Sequence, residues 1–435
     1  MKRFAQRLVR NQLARNAAAL YSVQFVRKLL PLVIVPYMAR VLGPAGWGMV
    51  AFMQSLAEIV VLVIEFGFNL SATREIARHR ESRENCGEIM AGVLGAQAVL
   101  ALVGITAAAG VSFFIPLLHK NPRLVASGLF YAAAQGFIPL WFFQGLERMR
   151  LAATLEIIGR TAGLLAVFVL VRSAQDTWIA LAIQGVAPAV TTCAGLLLAY
   201  RAIPCRMPNY ELVRGSLARG WPLFVFRSAE SLYGVANAFI LGLFALPAQV
   251  GYFASAEKVS RAVFGLLNPI RETLYPRLSN LAHHAPERVA TLARTGAAVT
   301  ITSGLLLSAA VYGLAPQLIG LLMGQAFAPA ITVLRILSAL PLVLAVTHAA
   351  GLQWLLPFGR DGEVTRIVVA AGVLNLVLAA ILAPRFTYVG MACSVLTAEV
   401  FVCVAMLRAT LKSPLPPAPV EGPAYDGFPA DDFAA

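Results

Sequence analysis

Trp221 to Phe244 reads WPLFVFRSAESLYGVANAFILGLF. The run is long enough to cross the hydrocarbon of a bilayer, which takes about 20 residues of helix. It lacks a two-residue alternation, so it reads as a helix and not as a barrel strand. Yet it carries Arg227, Glu230 and Asn237. Together with Gly234 these fall at i, i+3, i+7 and i+10, on one helical stripe. At a rise of 1.5 Å per residue, Glu230 lies about 15 Å into the run, near mid-membrane. A charge there costs at least about 2.5 kcal/mol. An Arg227–Glu230 pair within the helix would lower that cost. Two charges and an amide on one deep face favour a second explanation, an aqueous cavity.

The rest of the chain has the same character. Of its 435 residues, 59% are apolar and 13% charged, and the mean hydropathy is +0.75. Soluble domains are nearer 25% charged. A large soluble enzyme and a disordered chain are both excluded on this composition. The pattern predicts an all-α polytopic membrane protein of about 12 spans. They are expected near 17–41, 47–69, 88–115, 124–143, 153–171, 177–200, 220–244, 249–272, 294–316, 328–356, 364–382 and 388–409. The basic segment 1–16 precedes them. A six-helix bundle over 17–200, a linker over 201–219, a second bundle over 220–409 and a disordered tail over 410–435 complete the expected plan.

The basic residues orient this map. With the N-terminus inside, 23 of the 35 Lys and Arg fall in cytoplasmic segments, five face outward and seven lie within spans. The first two numbers form a strong positive-inside bias and place both termini in the cytoplasm. All outward loops are short, which leaves no room for an extracytoplasmic catalytic domain. One internal repeat is visible. Pro44-Ala45-Gly46-Trp47-Gly48-Met49-Val50-Ala51 enters span two, and Pro247-Ala248-Gln249-Val250-Gly251-Tyr252-Phe253-Ala254 enters span eight. The shift of six spans suggests two halves in parallel orientation.

Other spans also carry charge. Span eight holds Glu257, Lys258, Arg261 and Asn268, and its short joint to span seven predicts antiparallel neighbours facing one space. Span one holds Arg27 and Lys28, too deep for easy snorkelling. Span two places Gln54, Glu58 and Glu65 on one face. Glu156 and Arg160 form an i,i+4 pair in span five, read as a simple ion pair. Arg335 stands alone in span ten. The seven cations inside spans outnumber the five acids there, so a cavity built from them is expected to lean positive and to suit a phosphate. Nucleotide-binding loops, hydrolase elbows and metalloprotease motifs are absent from the sequence. The five cysteines form no CxxC pair and the histidines no ligand set, so neither cofactor nor metal is expected.

Several segments together carry a resemblance. Glu65-Phe66-Gly67-Phe68-Asn69 followed by Ser71-Ala72-Thr73-Arg74-Glu75-Ile76-Ala77 ends span two. Pro139-Leu140-Trp141-Phe142-Phe143-Gln144-Gly145-Leu146-Glu147-Arg148-Met149 ends span four. Tyr252-Phe253-Ala254-Ser255-Ala256-Glu257-Lys258 opens span eight, and Tyr275-Pro276-Arg277-Leu278-Ser279 closes it. The set resembles the Wzx-type polysaccharide flippases of the multidrug/oligosaccharidyl-lipid/polysaccharide exporter superfamily, over about residues 10–410.

The resemblance implies two six-helix bundles in the bacterial inner membrane. It also implies alternating access with a cationic central cavity, driven by an ion gradient. The partner it implies is a polyprenyl-diphosphate-linked oligosaccharide, an O-antigen or exopolysaccharide repeat unit. Membrane lipids and other polysaccharide-assembly membrane proteins are further expected partners, and nucleic acid is not. On this reading Arg27, Lys28, Arg227, Lys258, Arg261 and Arg335 would hold the diphosphate and acidic sugars. Asn237 and Asn268 would hydrogen-bond sugar hydroxyls. Glu58, Glu230 and Glu257 would balance charge or take up the coupling ion. A lipid II flippase, a multidrug antiporter of the same superfamily and a membrane glycan polymerase or ligase are the alternatives.

Overall fold

A computed structural model describes residues 2–267, 286–356 and 360–412 of the chain. Among these residues every regular element is helical. The first, α1 (Lys2–Glu65), is divided at Gly43, whose φ is 67° and ψ 175°. The break is written in the sequence. A residue before proline is pushed out of the helical region, and glycine accepts the positive φ that results. Short α2 (Phe68–His79) follows, then α3 (Arg83–Phe114), α4 (Pro116–His119), α5 (Pro122–Gly136), α6 (Leu140–Gly145), α7 (Met149–Leu170) and α8 (Thr177–Ala202). The C-terminal half comprises α9 (Tyr210–Val235), α10 (Asn237–Phe244), α11 (Pro247–Phe264), α12 (Pro286–Leu322), α13 (Ala330–Leu337), α14 (Leu340–Ala350) and α15 (Asp361–Leu411). The last is divided at Thr387, at φ 49°, in the gap expected between the final two spans.

Seven helical stretches among the described residues are long and apolar enough to cross a membrane. The protein is a multi-pass membrane protein. Helix α11, which carries Glu257, Lys258 and Arg261, falls outside that set of seven. Large apolar side chains lie bare on the outer helices: Phe114 is 82% exposed and Leu321 73%. Such a belt would be a liability in water and is ordinary against lipid. One boundary differs from expectation. Helix α9 begins at Tyr210, inside the stretch expected as linker, because the Asn209 side chain caps it by accepting the Leu212 N–H at 2.8 Å.

The main core joins the two halves of the chain. Trp47, Phe52 and Met53 of α1 are buried together with Phe253 of α11 and Leu334 of α13. A second cluster packs Phe68, Ile76, Met90, Trp141 and Phe142. Between helices in lipid, close van der Waals packing replaces the hydrophobic effect as the source of association, and small residues permit it. The repeat supplies them. A Cβ on Gly48 would lie 1.7 Å from the Pro247 carbonyl oxygen, and one on Gly251 would lie 2.1 Å from that of Pro44. Each copy of the repeat therefore seats its glycine on the other copy's proline. Arg40, just before the Gly43 break, donates a hydrogen bond to the Leu321 carbonyl and ties α1 to α12.

Candidate functional site: a polar cavity inside the helices

Helices α1, α5, α7, α8 and α11 enclose a cavity of about 350 Å³. Its polar lining is Gln54 and Glu58 from α1, Tyr131 and Gln135 from α5, Glu156 and Arg160 from α7, Gln184 and Thr191 from α8, and Lys258 from α11. Gln54 and Glu58 are four residues apart, so the helix turns both to the same side. The Tyr131 hydroxyl donates to Glu58. Gln54 and Gln184 join their amides at 3.3 Å. Arg160 donates to Glu156 at 3.0 Å.

Lys258 enters from the other half of the chain. Its ammonium reaches Gln54 Oε1 at 3.5 Å and lies 4.8 Å from the centre of the Trp47 ring. The aromatic face and the amide oxygen both favour a cation there. Glu156 and Arg160, read from the sequence as a plain ion pair, thus form part of the cavity wall. Among the described residues the lining holds two acids, Glu58 and Glu156, and two bases, Arg160 and Lys258. Among the described side chains of this space acids and bases are equal in number; Arg27, Lys28 and Arg227, which carry part of the positive excess expected from the span count, have side chains outside the described ones.

A second polar cluster sits between α10, α11 and α15. Asn237 donates to Glu257 at 3.3 Å and accepts from Asn375 at 3.0 Å. Ser394 donates to Asn375 Oδ1 at 3.0 Å. Arg261 donates to Glu257 at 2.8 Å and to the Gly234 carbonyl at 3.0 Å. That carbonyl is available because α9 ends at Val235. The stripe expected from Arg227 to Asn237 is therefore interrupted before it reaches Asn237. Ser55 of α1 occupies the break: its hydroxyl donates to the Val235 carbonyl and accepts from the Phe239 N–H.

The site residues expected from the sequence thus separate. Glu58 and Lys258 line the cavity. Glu257, Arg261 and Asn237 form the second cluster. Asn237 is only 1% exposed, and its hydrogen bonds go to neighbours within the protein, so it does not present an amide to open space. Arg335 lies on the exposed surface with its guanidinium 5.6 Å from the Tyr312 ring centre and joins neither group. Arg27, Lys28, Arg227 and Glu230 fall on α1 and α9, but their side chains lie outside the described ones, and Asn268 lies outside the described residues altogether. So do residues 275–279, which carry one of the resembling segments. Sequence reasoning passed over Tyr131, Gln135, Gln184, Thr191, Asn375 and Ser394. Each is uncharged, and the signal was no more than a polar side chain within a mainly apolar stretch.

Known proteins resemble this chain in sequence and in fold. The family model described as polysaccharide biosynthesis protein matches residues 13–282. A protein of Escherichia coli (strain K12) named "Putative O-antigen transporter" is 31% identical over 403 residues, covering 91% of this chain and 96% of its own. A protein of the same name from Shigella dysenteriae is 27% identical over 403 residues, with 91% and 99% covered. Among solved structures, the lipid II flippase MurJ in an inward closed conformation matches with a TM-score of 0.68 at 10% identity, over 92% of this chain and 88% of that one. An inward-facing multidrug resistance MATE family transporter of the MOP superfamily matches with a TM-score of 0.63 at 14% identity, over 88% and 97%. At these identities the structures speak for the fold, while the family model and the first relative speak for descent. The chain belongs to the polysaccharide biosynthesis protein family, on the fold of the MOP superfamily transporters.

Proposed function

We propose that the protein is a flippase that carries an undecaprenyl-diphosphate-linked oligosaccharide across the bacterial inner membrane by alternating access, coupled to an ion gradient. The observation that supports this most is the polar cavity within membrane-spanning helices, to which both halves contribute through Gln54, Glu58 and Lys258. Moving a large polar headgroup through lipid calls for such a space, and for two halves that part and rejoin around it. At the Pro44 and Pro247 end the halves are in backbone contact. On the positive-inside orientation that end is periplasmic, so substrate would enter from the cytoplasm.

Arg261, with Arg27, Lys28 and Arg227, is the proposed seat of the diphosphate. Its side chain is 56% exposed although Glu257 holds it, and arginine binds phosphate oxygens with two parallel donors. Glu58, Glu230 and Glu257 are the proposed groups for the coupling ion or charge balance. The test is to delete the gene and follow the glycan. Lipid-linked repeat units should accumulate on the cytoplasmic face while surface polysaccharide is lost. Normal surface polysaccharide, or accumulation of a peptidoglycan precursor instead, would overturn the proposal.

A further inference from the structure

We infer that the cavity between α1, α5, α7, α8 and the tip of Lys258 is a subsite for one neutral sugar of the transported lipid, gripped by the amides of Gln54, Gln135 and Gln184. The inference rests on the flippase reading and names what part of the substrate this space takes.

Three observations carry it. The first is charge. Among the described side chains around the space, Glu58 and Glu156 are matched by Arg160 and Lys258. A diphosphate would need surplus cations, and burying its charge against a balanced lining is costly. A neutral polyhydroxyl ligand meets no such penalty.

The second is hydrogen-bond chemistry. A sugar hydroxyl both donates and accepts, and a glutamine amide offers a donor and an acceptor side by side. Gln54 and Gln184 spend one bond on each other at 3.3 Å, Gln54 Oε1 also accepts from Lys258 at 3.5 Å, and Gln184 gives one donor to the Ala180 carbonyl at 3.2 Å. Each amide keeps capacity for a further bond by its own inventory of donors and acceptors. The Gln135 side chain has no hydrogen-bond partner among the described residues and lines the same space. Apolar side chains such as Met38, Leu164 and Ile183 also line the space, suited to the C–H face of a ring.

The third is size. At about 350 Å³ the cavity lies near the lower end of ligand pockets, which run from roughly 300 to 1,000 Å³. It has room for a monosaccharide. Because Lys258 comes from the other half of the chain, the subsite is complete only when the halves are together.

The test uses the full-length protein in nanodiscs, with two probes: undecaprenyl diphosphate, and the same lipid bearing one N-acetylglucosamine. Wild-type protein should bind the sugar-bearing lipid about tenfold more tightly, which is about 1.4 kcal/mol. The double variant Gln54→Leu/Gln184→Leu should lose that gain while keeping its affinity for the bare lipid. Gly163→Leu fills the space without removing an amide, since a Cβ at Gly163 meets only Ala187 Cβ, at 3.5 Å; it should behave the same way. Should the double variant fail to fold, Gln135→Leu gives the same readout from another wall. Equal wild-type binding of the two lipids would overturn the subsite and leave the flippase reading standing. So would retention of the full sugar gain in both cavity variants, or a parallel loss of both lipids, which would make the amides scaffold. Binding of neither lipid by the wild type would overturn the flippase reading itself.

Discussion

Adding one methyl group at Gly48 sets two physical effects against each other. Glycine within a helix is less favourable than alanine by up to about 1 kcal/mol, so Gly48→Ala should stabilise α1 if nothing else mattered. The tertiary contact reverses the sign. The new Cβ would sit 1.7 Å from the Pro247 carbonyl oxygen and 2.8 Å from the Gly251 nitrogen. A comfortable C···O approach is about 3.3 Å or more. The two backbones must therefore part by roughly 1.6 Å at this point. Neither can yield by rotating a side chain, because the opposing atoms are main chain at the head of α11. Overpacking of this kind costs about 1–3 kcal/mol. Since the contact belongs to one arrangement of the two halves, the cost falls on that arrangement, and its population should drop by about 5- to 150-fold relative to any state in which the two turns are apart. Spin labels at Lys120 and Arg385, both exposed, in a cysteine-free background would report the separation by pulsed dipolar spectroscopy. Gly48→Ala and Gly251→Ala should each shift the distances to longer values. Gly110→Ala, where a Cβ meets nothing within 4 Å, should not. Unchanged distances together with an unchanged or raised melting midpoint for Gly48→Ala would refute the reasoning.

Three further outcomes are expected. Asn375→Ala should lower the melting midpoint of the purified protein, because it takes the donor from the buried Asn237 Oδ1 and an orphaned group of this kind costs about 1–3 kcal/mol, while Ser394 keeps its bond to the residue 375 carbonyl; an unchanged midpoint would mean the cluster is not a structural tie. Arg335→Ala should leave glycan export at the wild-type level, since the guanidinium lies over Tyr312 on the exposed surface; an export defect would place it in the substrate path. In the 172–176 loop, the Arg172 and Ser173 backbone N–H groups and the Ser173 hydroxyl donate to Asp176 and hold its carboxyl below the usual range. A carboxylate depressed in the folded state stabilises fully above its unfolded pKa of about 3.9, and the effect fades as pH falls through the folded value. The melting difference between wild type and Asp176→Ala should therefore be constant from neutral pH to about pH 5 and shrink in stronger acid. A difference that grows on acidification would contradict the assignment.

Much of the fold could be read along the chain. The Gly43-Pro44 break needed only the conformational limits of those two residues, and the helix divided where they said. The two copies of the repeat, found by spacing, turned out to touch each other glycine to proline. The site was half legible. Charged residues in spans stand out because their burial is expensive, so Glu58 and Lys258 were found. The amides and hydroxyls of Gln135, Gln184, Tyr131 and Thr191 were not, because such groups are cheap enough in a helix to be common without function. Asn237 misled for a related reason. A helical stripe assumes an unbroken helix, and α9 stops at Val235.

What the sequence determined by itself is what depends on near neighbours along the chain: a lipid-solvated, all-helical protein, the places where its helices break at proline and glycine, and the depth of each charge. Hydropathy, dihedral limits and the 1.5 Å rise are local properties, and they survive any change of packing. Only the tertiary structure decided which groups meet. Glu58 and Tyr131 are 73 residues apart in sequence, and Gln54 and Lys258 are 204. Their contacts depend on how each helix is rotated and crossed against the next, which composition and period leave open. The same holds for charge. The chain carries a net +14, yet the described side chains of its cavity are balanced: Glu156 and Arg160 pair along α7, while Glu58 of α1 and Lys258 of α11 come to one space only when those helices pack together.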